Sequence, residues 1–219
     1  MTQPPAAIQV DIVSDVVCPW CIVGYRQLEQ ALTRVGLGAY IRWHPFELNP
    51  TMPTEGQNLR EHLAEKYGTT PEQSRAARDR LTALGAELGF TFNYADDMRM
   101  VNTFAAHQLL DWAVEQNLQH PLKLALFTAF FTDGRDVSDH DVLVDTAASV
   151  GLDGDAARGV LETGSHADAT RAHQRAWTDR GISAVPAVIL GGKYLLSGAQ
   201  GVDTYAQALS RVAQEAATV

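Results

Sequence analysis

The chain has 219 residues, 46% hydrophobic and 20% charged, which suits one large globular unit or a unit with a sizeable insertion. Collagen-like, disordered and disulfide-scaffold classes are excluded on the same grounds. Twenty-six acids against seventeen bases give a net charge of −9 with no basic cluster, which argues against nucleic acid and anionic membrane surfaces as partners.

No apolar run approaches the roughly 20 residues of a membrane-spanning helix, so no membrane association is expected. The opening Met1-Thr2-Gln3-Pro4-Pro5-Ala6-Ala7 has neither a basic nor an apolar signal region, so a cytoplasmic location is expected.

Ile8-Gln9-Val10-Asp11-Ile12-Val13 alternates as a strand and runs through Ser14-Asp15-Val16-Val17 into Cys18-Pro19-Trp20-Cys21. Ile22, Leu28, Ala31, Leu32 and Val35 then recur at helical spacing, with Gly36 as a C-terminal stop. A second strand is expected over residues 39–48, ended by Asn49-Pro50. Two strands joined by a helix make a right-handed parallel β-α-β unit.

From about 57 to 180 the pattern is helical. Thr70-Pro71-Glu72-Gln73 reads as a capping box opening a helix to about 88. Asn102-Thr103 opens a helix over 104–116, and Pro121 starts another through 131. Ser138-Asp139-His140-Asp141 reads as a second capping box, with Gly151 closing its helix; Asp153 caps the next, to about Gly164. A further helix through Ala172 and Trp177 stops at Gly181. Strands return at 187–190 and 193–196 around Gly191-Gly192, the sequence of a two-residue hairpin, and a last helix covers about 202–215.

The order is thus β-α-β, six or seven helices, then β-β-α. That is an α/β class: a thioredoxin fold with a large all-helical insertion. Residues 1–56 and 165–219 are expected to form the discontinuous thioredoxin-fold domain, and 57–164 the helical insertion.

Cys18 and Cys21 are the two cysteines of the chain. A disulfide closing so short a loop constrains the unfolded chain little, so stability is a weak reason for the pair. A zinc site wants further ligands, and the seven histidines are scattered without a His-x-x-x-His spacing, so no metal is expected. Redox chemistry remains.

At a strand-to-helix handover, free N–H groups and the helix dipole favour a thiolate at Cys18, which makes it the attacking sulfur. Pro19 costs nothing in the first turn, and Cys21, one turn on and expected to be more buried, lies on the same face to resolve the intermediate.

Weaker candidates keep two readings each. Asp11 and Asp15 are proton acceptors for Cys21, or a solvent-facing strand residue and a turn acid. Trp20 is a contact surface for substrate or a packed side chain. His44 reads as packing, and Asp139-His140-Asp141 as a capped helix start in place of a triad fragment. Pro186, after Gly181-Ile182-Ser183-Ala184-Val185, reads locally as an edge-strand device or as part of the site.

Taken together, five stretches carry a resemblance over nearly the whole chain. They are Asp11-Ile12-Val13-Ser14-Asp15-Val16-Val17-Cys18-Pro19-Trp20-Cys21, Phe46-Glu47-Leu48-Asn49-Pro50, Arg99-Met100-Val101-Asn102-Thr103-Phe104, Phe131-Thr132-Asp133-Gly134-Arg135-Asp136-Val137-Ser138, and Ile182-Ser183-Ala184-Val185-Pro186 through Ser197-Gly198-Ala199-Gln200. The chain resembles the DsbA-like branch of the thioredoxin superfamily, in its FrnE-like subgroup.

The resemblance implies a dithiol–disulfide oxidoreductase in which Cys18 attacks and Cys21 resolves. Pro186 would follow a cis bond and face the two thiols, leaving the Val185 backbone groups for an extended substrate segment. Pro19, Trp20, Val185, Asn102 and Thr103 are the implied substrate contacts. The cycle needs no metal or organic cofactor, and the partner is a thiol or disulfide, protein or small molecule, with glutathione open as a co-substrate. Oligomeric state is left open.

Three alternatives stand beside this reading. The architecture also resembles kappa-class glutathione transferases and 2-hydroxychromene-2-carboxylate isomerases, which typically place serine where Cys18 stands. A redox-sensing or chaperone-like binding module, and a zinc site completed across a dimer, are the others.

Overall fold

The computed structural model describes residues 7–216. Residues 1–6, which carry most of the signal-segment reading, lie outside the described residues. The first strand, β1 (Ala7–Ser14), hands over through a short turn to α1 (Pro19–Val35), which ends on the left-handed Gly36. β2 (Gly38–Pro45) runs parallel to β1 in register from Ala7 opposite Gly38 to Ser14 opposite Pro45. The strand expected to 48 therefore stops at Pro45. The cause lies in the site: the Leu48 N–H donates to the Asp15 carboxylate at 2.7 Å, drawing residues 46–48 out of the ladder.

The insertion begins with β3 (Gln57–Asn58), α2 (Leu59–Tyr67) and α3 (Pro71–Glu87). Asn58 caps α2, and Thr70 and Gln73 form the reciprocal capping box expected at the start of α3. β4 (Arg99–Met100) pairs antiparallel with β3, a two-residue ladder too short to leave a period in the sequence. The insertion is therefore mainly, but not wholly, helical. Then come α4 (Phe104–Glu115), α5 (Gln119–Phe131), α6 (His140–Ser149), α7 (Gly154–Thr163) and α8 (Ala167–Thr178).

Asp139, not Ser138, caps α6, accepting from Asp141 and Val142 N–H, while Ser138 bonds Asp136. Asp139-His140-Asp141 is thus a helix start. Asp153 caps α7, as expected. No helix of the described residues is long and apolar enough to cross a membrane.

The chain closes with β5 (Ala187–Leu190), β6 (Tyr194–Ser197) and α9 (Val202–Ala216). Leu190 pairs with Tyr194, so the hairpin loop is Gly191-Gly192-Lys193, three residues in place of the two expected, with both glycines at positive φ. The four-stranded sheet has the order β2-β1-β5-β6, with β5 antiparallel to its neighbours. This is a thioredoxin core with an extensive helical insertion.

Helices cover both faces of β1. Val10, Ile12, Val188 and Leu190 join the main core with α1 and α9, while Val13, Ile189 and Ala187 pack beneath Trp177 of α8. A central strand covered on both faces has no solvent side. Asp11 is therefore buried, where the alternation allowed a solvent-facing position.

Candidate active site

The turn after β1 places Cys18 at the N-cap of α1, with φ −92° and ψ 110°, and Pro19 at the first helical position. Cys21 follows one turn later, its N–H bonded to the Cys18 carbonyl at 3.0 Å. Neither thiol is drawn into a disulfide; Cys18 is 3% exposed and Cys21 fully buried. The Val185–Pro186 peptide bond is cis, and Cys18 Sγ lies 3.7 Å from the Val185 carbonyl oxygen.

Two features hold Pro186 against the motif. Gly198 N–H donates to the Pro186 carbonyl at 2.7 Å, and Tyr205 of α9 donates its hydroxyl to the Gly198 carbonyl. Gly24 supplies the space on α1: a Cβ there would stand 3.2 Å from Pro186 Cγ and 3.4 Å from the Tyr205 hydroxyl. A helix-interior glycine costs about 1 kcal/mol against alanine, and here the close approach accounts for it.

The acidity of the pair differs from the helix-dipole expectation. A hydrogen bond to Cys21, burial and the charge of Cys21 push the Cys18 thiol well up. Burial works against ionising Cys21 too, but hydrogen bonds from Cys18 and Ser14 and the charge of Lys123 bring its pKa down. A cation acts on the Cys21 side as well, beside those two hydrogen bonds.

That cation is Lys123 of α5, fully buried, its Nζ 5.4 Å from the Trp43 ring centre and 5.0 Å from that of Phe127. Nζ has no hydrogen-bond partner among the described residues. Burial pushes its pKa down to about 8, although the charges of Cys21, Asp15 and Cys18 act to raise it.

Beside it, Asp15 is fully buried, not a solvent-facing turn acid. It accepts from Leu48 N–H at 2.7 Å and from His107 Nε2 at 3.3 Å. Burial opposes its ionisation, but His107, the Leu48 N–H and Lys123 hold its carboxyl below its ordinary range. His107 Nε2 also lies 3.1 Å from the Phe46 carbonyl, which ties α4 to the segment after β2.

Neither His107 nor Lys123 was singled out by the sequence. The available signal was a lysine among Leu122, Leu124, Leu126 and Phe127, an apolar stretch without a polar face.

On the Cys18 side the surroundings are different. A cavity of about 560 Å³ opens beside this sulfur, lined from the thioredoxin core by Pro19, Trp20, Phe46 and Val185. Its opposite wall comes from the insertion, through α2, α3, Tyr94 and the end of α5. Trp20 is 39% exposed at this rim, so its ring is not packed away beneath the insertion.

Asn102 and Thr103 are not among the lining residues. Asn102 accepts from Phe104 N–H and donates to the Met52 carbonyl, and Thr103 is buried as the N-cap residue of α4. Asp11 pairs with His44 at 2.7 Å, with the His44 ring against Trp177. Among the described residues, no group of three His, Cys, Asp or Glu side chains is placed to hold a metal ion.

Comparison with known proteins agrees with this arrangement. Residues 9–210 match the family described as the DSBA-like thioredoxin domain. A protein of Bacillus subtilis (strain 168), the uncharacterized YwbO, is 30% identical over 204 residues, which is 93% of this chain and 96% of that protein. The crystal structure of a probable DsbA oxidoreductase from Streptomyces coelicolor superposes with a TM-score of 0.88 at 34% identity, covering 95% of this chain and 91% of that one. A 2-hydroxychromene-2-carboxylate isomerase shares the fold at a TM-score of 0.69 and 15% identity, over 96% and 98% of the two chains.

The family match overturns the expectation of a cytoplasmic location. DsbA-family oxidoreductases characteristically work outside the cytoplasm, and the composition of the first residues does not outweigh a match over most of the chain.

Proposed function

The chain belongs to the DsbA-like thioredoxin family and is a thiol–disulfide oxidoreductase, and from that premise we propose that Cys18 exchanges with substrate, Cys21 resolves the mixed disulfide, and Val185 and Pro186 form the rim against which substrate lies. One observation carries the division of labour: Cys18 borders the open cavity, whereas Cys21 is fully buried behind it.

In the reducing direction, Cys18 attacks one sulfur of a substrate disulfide as its proton passes to the Cys21 thiolate. The Cys18–substrate bond forms, the substrate disulfide breaks, and one thiolate leaves. That thiolate takes the proton from Cys21, which attacks Cys18 and expels the second thiolate. The pair ends as a disulfide, and two electrons have moved to the substrate. The reverse sequence oxidises two thiols.

The stretches around residues 11–21, 46–50, 99–104, 131–138 and 182–200 support placing the chain in the FrnE-like subgroup. Residues 57–164 are taken as the unit that walls the site and selects the substrates that enter. Thiol or disulfide partners follow from the chemistry, with glutathione as a candidate co-substrate. Fold likeness to the isomerase adds no second reading, because both positions of the motif carry thiols here.

The test is equilibration across glutathione redox buffers, with free thiols counted by alkylation and mass. A reversible two-electron transition confined to Cys18 and Cys21 is expected. Cys21→Ser accumulates a mixed disulfide with glutathione on Cys18, and Cys18→Ser accumulates none. Accumulation on Cys21 instead would reverse the assigned roles, and thiols that stay free throughout would end the dithiol reading.

A further inference from the structure

Where β2 stops at Pro45, the backbone groups that follow lose the ladder partners a longer strand would give them. Side chains take them instead. Leu48 N–H donates to Asp15 Oδ2 at 2.7 Å, and the Phe46 carbonyl lies 3.1 Å from His107 Nε2. We propose that His107 of α4 is a positioning residue for the exchange reaction, fixing the turn that carries Cys18 against the segment of residues 46–48 that walls the recess. This rests on the reading of Cys18 as the exchanging sulfur.

The ring is committed by its partners. His107 Nε2 stands 3.3 Å from Asp15 Oδ1 as well as 3.1 Å from the Phe46 carbonyl. A carbonyl oxygen accepts and never donates, so Nε2 carries the proton and shares it between the two oxygens. Both distances are long for an N–H···O bond, as suits one donor with two acceptors. Asp15 thus spends one oxygen on Leu48 and the other on His107. His107 is 2% exposed and Asp15 fully buried, so bulk water does not stand in for either partner.

The turn depends on these bonds. Asp15 opens Asp15-Val16-Val17-Cys18, whose own backbone bond, from Cys18 N–H to the Asp15 carbonyl, is 3.3 Å long. A bond of that length holds a turn weakly, which leaves the Asp15 side chain as the stronger anchor. The two segments it joins flank the exchanging sulfur: Val17, Cys18, Phe46 and Leu48 all line the same recess. Movement of either segment changes the direction from which a substrate sulfur meets Cys18, and a misplacement of about 1 Å can cost about a hundredfold in rate.

The start of α4 is built to hold the ring there. His107 lies in its first turns, with its N–H bonded to the Thr103 carbonyl at 3.1 Å. Asn102 accepts from Phe104 N–H at 2.9 Å and donates to the Met52 carbonyl at 3.2 Å. Asn102 and Thr103, outside the recess lining, therefore serve the exchange through the placement of His107. Nε2 is occupied by Asp15 and Phe46 and bonds neither thiol, so the role is one of position, not of proton transfer.

The test is single-turnover oxidation of the reduced protein by glutathione disulfide, sampled by acid quench, with free thiols counted by alkylation and mass. Two variants are compared with wild type per folded molecule. His107→Gln offers an amide N–H in place of Nε2–H, and His107→Leu fills the same space without a donor. His107→Leu should exchange at least about tenfold more slowly than wild type, with His107→Gln within about threefold of it.

A wild-type rate in His107→Leu, with nothing lowered except its unfolding midpoint, would make the residue structural and overturn the proposal. Equal slowing in both variants would overturn it too, because the donor would then not matter. A second measurement needs no variant: long-range ¹H–¹⁵N spectra of the wild-type ring should show the proton on Nε2 at pH 7. A ring protonated on Nδ1 alone overturns the proposal outright. Wild-type thiols that never exchange with glutathione disulfide overturn the reading of Cys18 itself, a result separate from all of these.

Discussion

The two sulfurs of one four-residue motif face different media. Cys18 borders an apolar recess and the cis-proline segment, whereas Cys21 looks back onto a buried cluster of Asp15, His107 and Lys123. The Cys18 side is shaped by packing and the Cys21 side by charge. The comparison teaches that the insertion serves both: α2 and α3 wall the recess, while α4 and α5 supply the histidine and the lysine behind the motif. Helix-dipole arguments treat only the first turn of α1, and so miss the hydrogen bonds and the buried lysine that lower the Cys21 thiol.

The largest effect should come from breaking the charged side. Asp15→Ala leaves the Leu48 N–H unpartnered, His107 with the Phe46 carbonyl alone and a buried lysine with less compensation, at a cost of about 3–5 kcal/mol. Asn, which keeps an acceptor for Leu48, should recover part of it. The pH dependence follows from the lowered pKa. The stability that ionised Asp15 supplies is complete above the ordinary carboxylate range and is lost as pH falls through its lowered folded value. Urea unfolding of wild type and Asp15→Asn should therefore differ near neutrality and converge in acid. Parallel curves down to acid pH would show that the carboxylate charge contributes nothing.

A smaller effect tests the packed side. Gly24→Val puts branched carbon where even a Cβ lies 3.2 Å from Pro186 Cγ, and overpacking of this kind costs about 1–3 kcal/mol. The proline segment must move away from Cys18, so disulfide exchange should slow by more than the loss of folded protein explains. Gly24→Ala, which needs only a few tenths of an ångström of yielding, should retain most of the rate. Unchanged exchange in Gly24→Val, measured by stopped flow on folded protein, would show that the contact with Pro186 does not govern the rate.

These residues also mark what could be read from sequence. Strand, motif and helix were legible because period and chemistry agree from Ile8 to Val35, and the Thr70–Gln73 box because its reciprocal bonds are local. Burial of Asp11 was not legible, since whether α8 covers that face of β1 depends on packing across more than 150 residues of sequence. The three-residue hairpin loop and the β3–β4 ladder turn on one or two residues, below what periodicity resolves. Asn102 and Thr103, implied as substrate contacts, are instead tied into the start of α4 and away from the recess lining. Lys123 sits on a helix apolar around much of its surface, where no stripe tells which residue faces the thiols.

Lys123 gives the smallest of the expected changes in stability, and the opposite sign. A buried ammonium without a hydrogen bond is costly, and methionine of similar length in the same apolar surroundings should stabilise the fold by about 1–2 kcal/mol at pH 7. The folded pKa of about 8 lies below the ordinary 10.5, so the cost of burying the charge is complete below pH 8. It declines as pH rises from 8 to 10.5, because there the unfolded chain holds a proton that the folded one has released. The advantage of Lys123→Met in thermal unfolding should shrink over that window. Lys123 also lowers the Cys21 thiol, so the variant should move the pH profile of thiol alkylation upward. A less stable variant at pH 7 would mean that Asp15 and Cys21 hold the ammonium more strongly than burial penalises it. The charged side of the motif would then be a structural ion cluster first, and a device for the resolving thiol second.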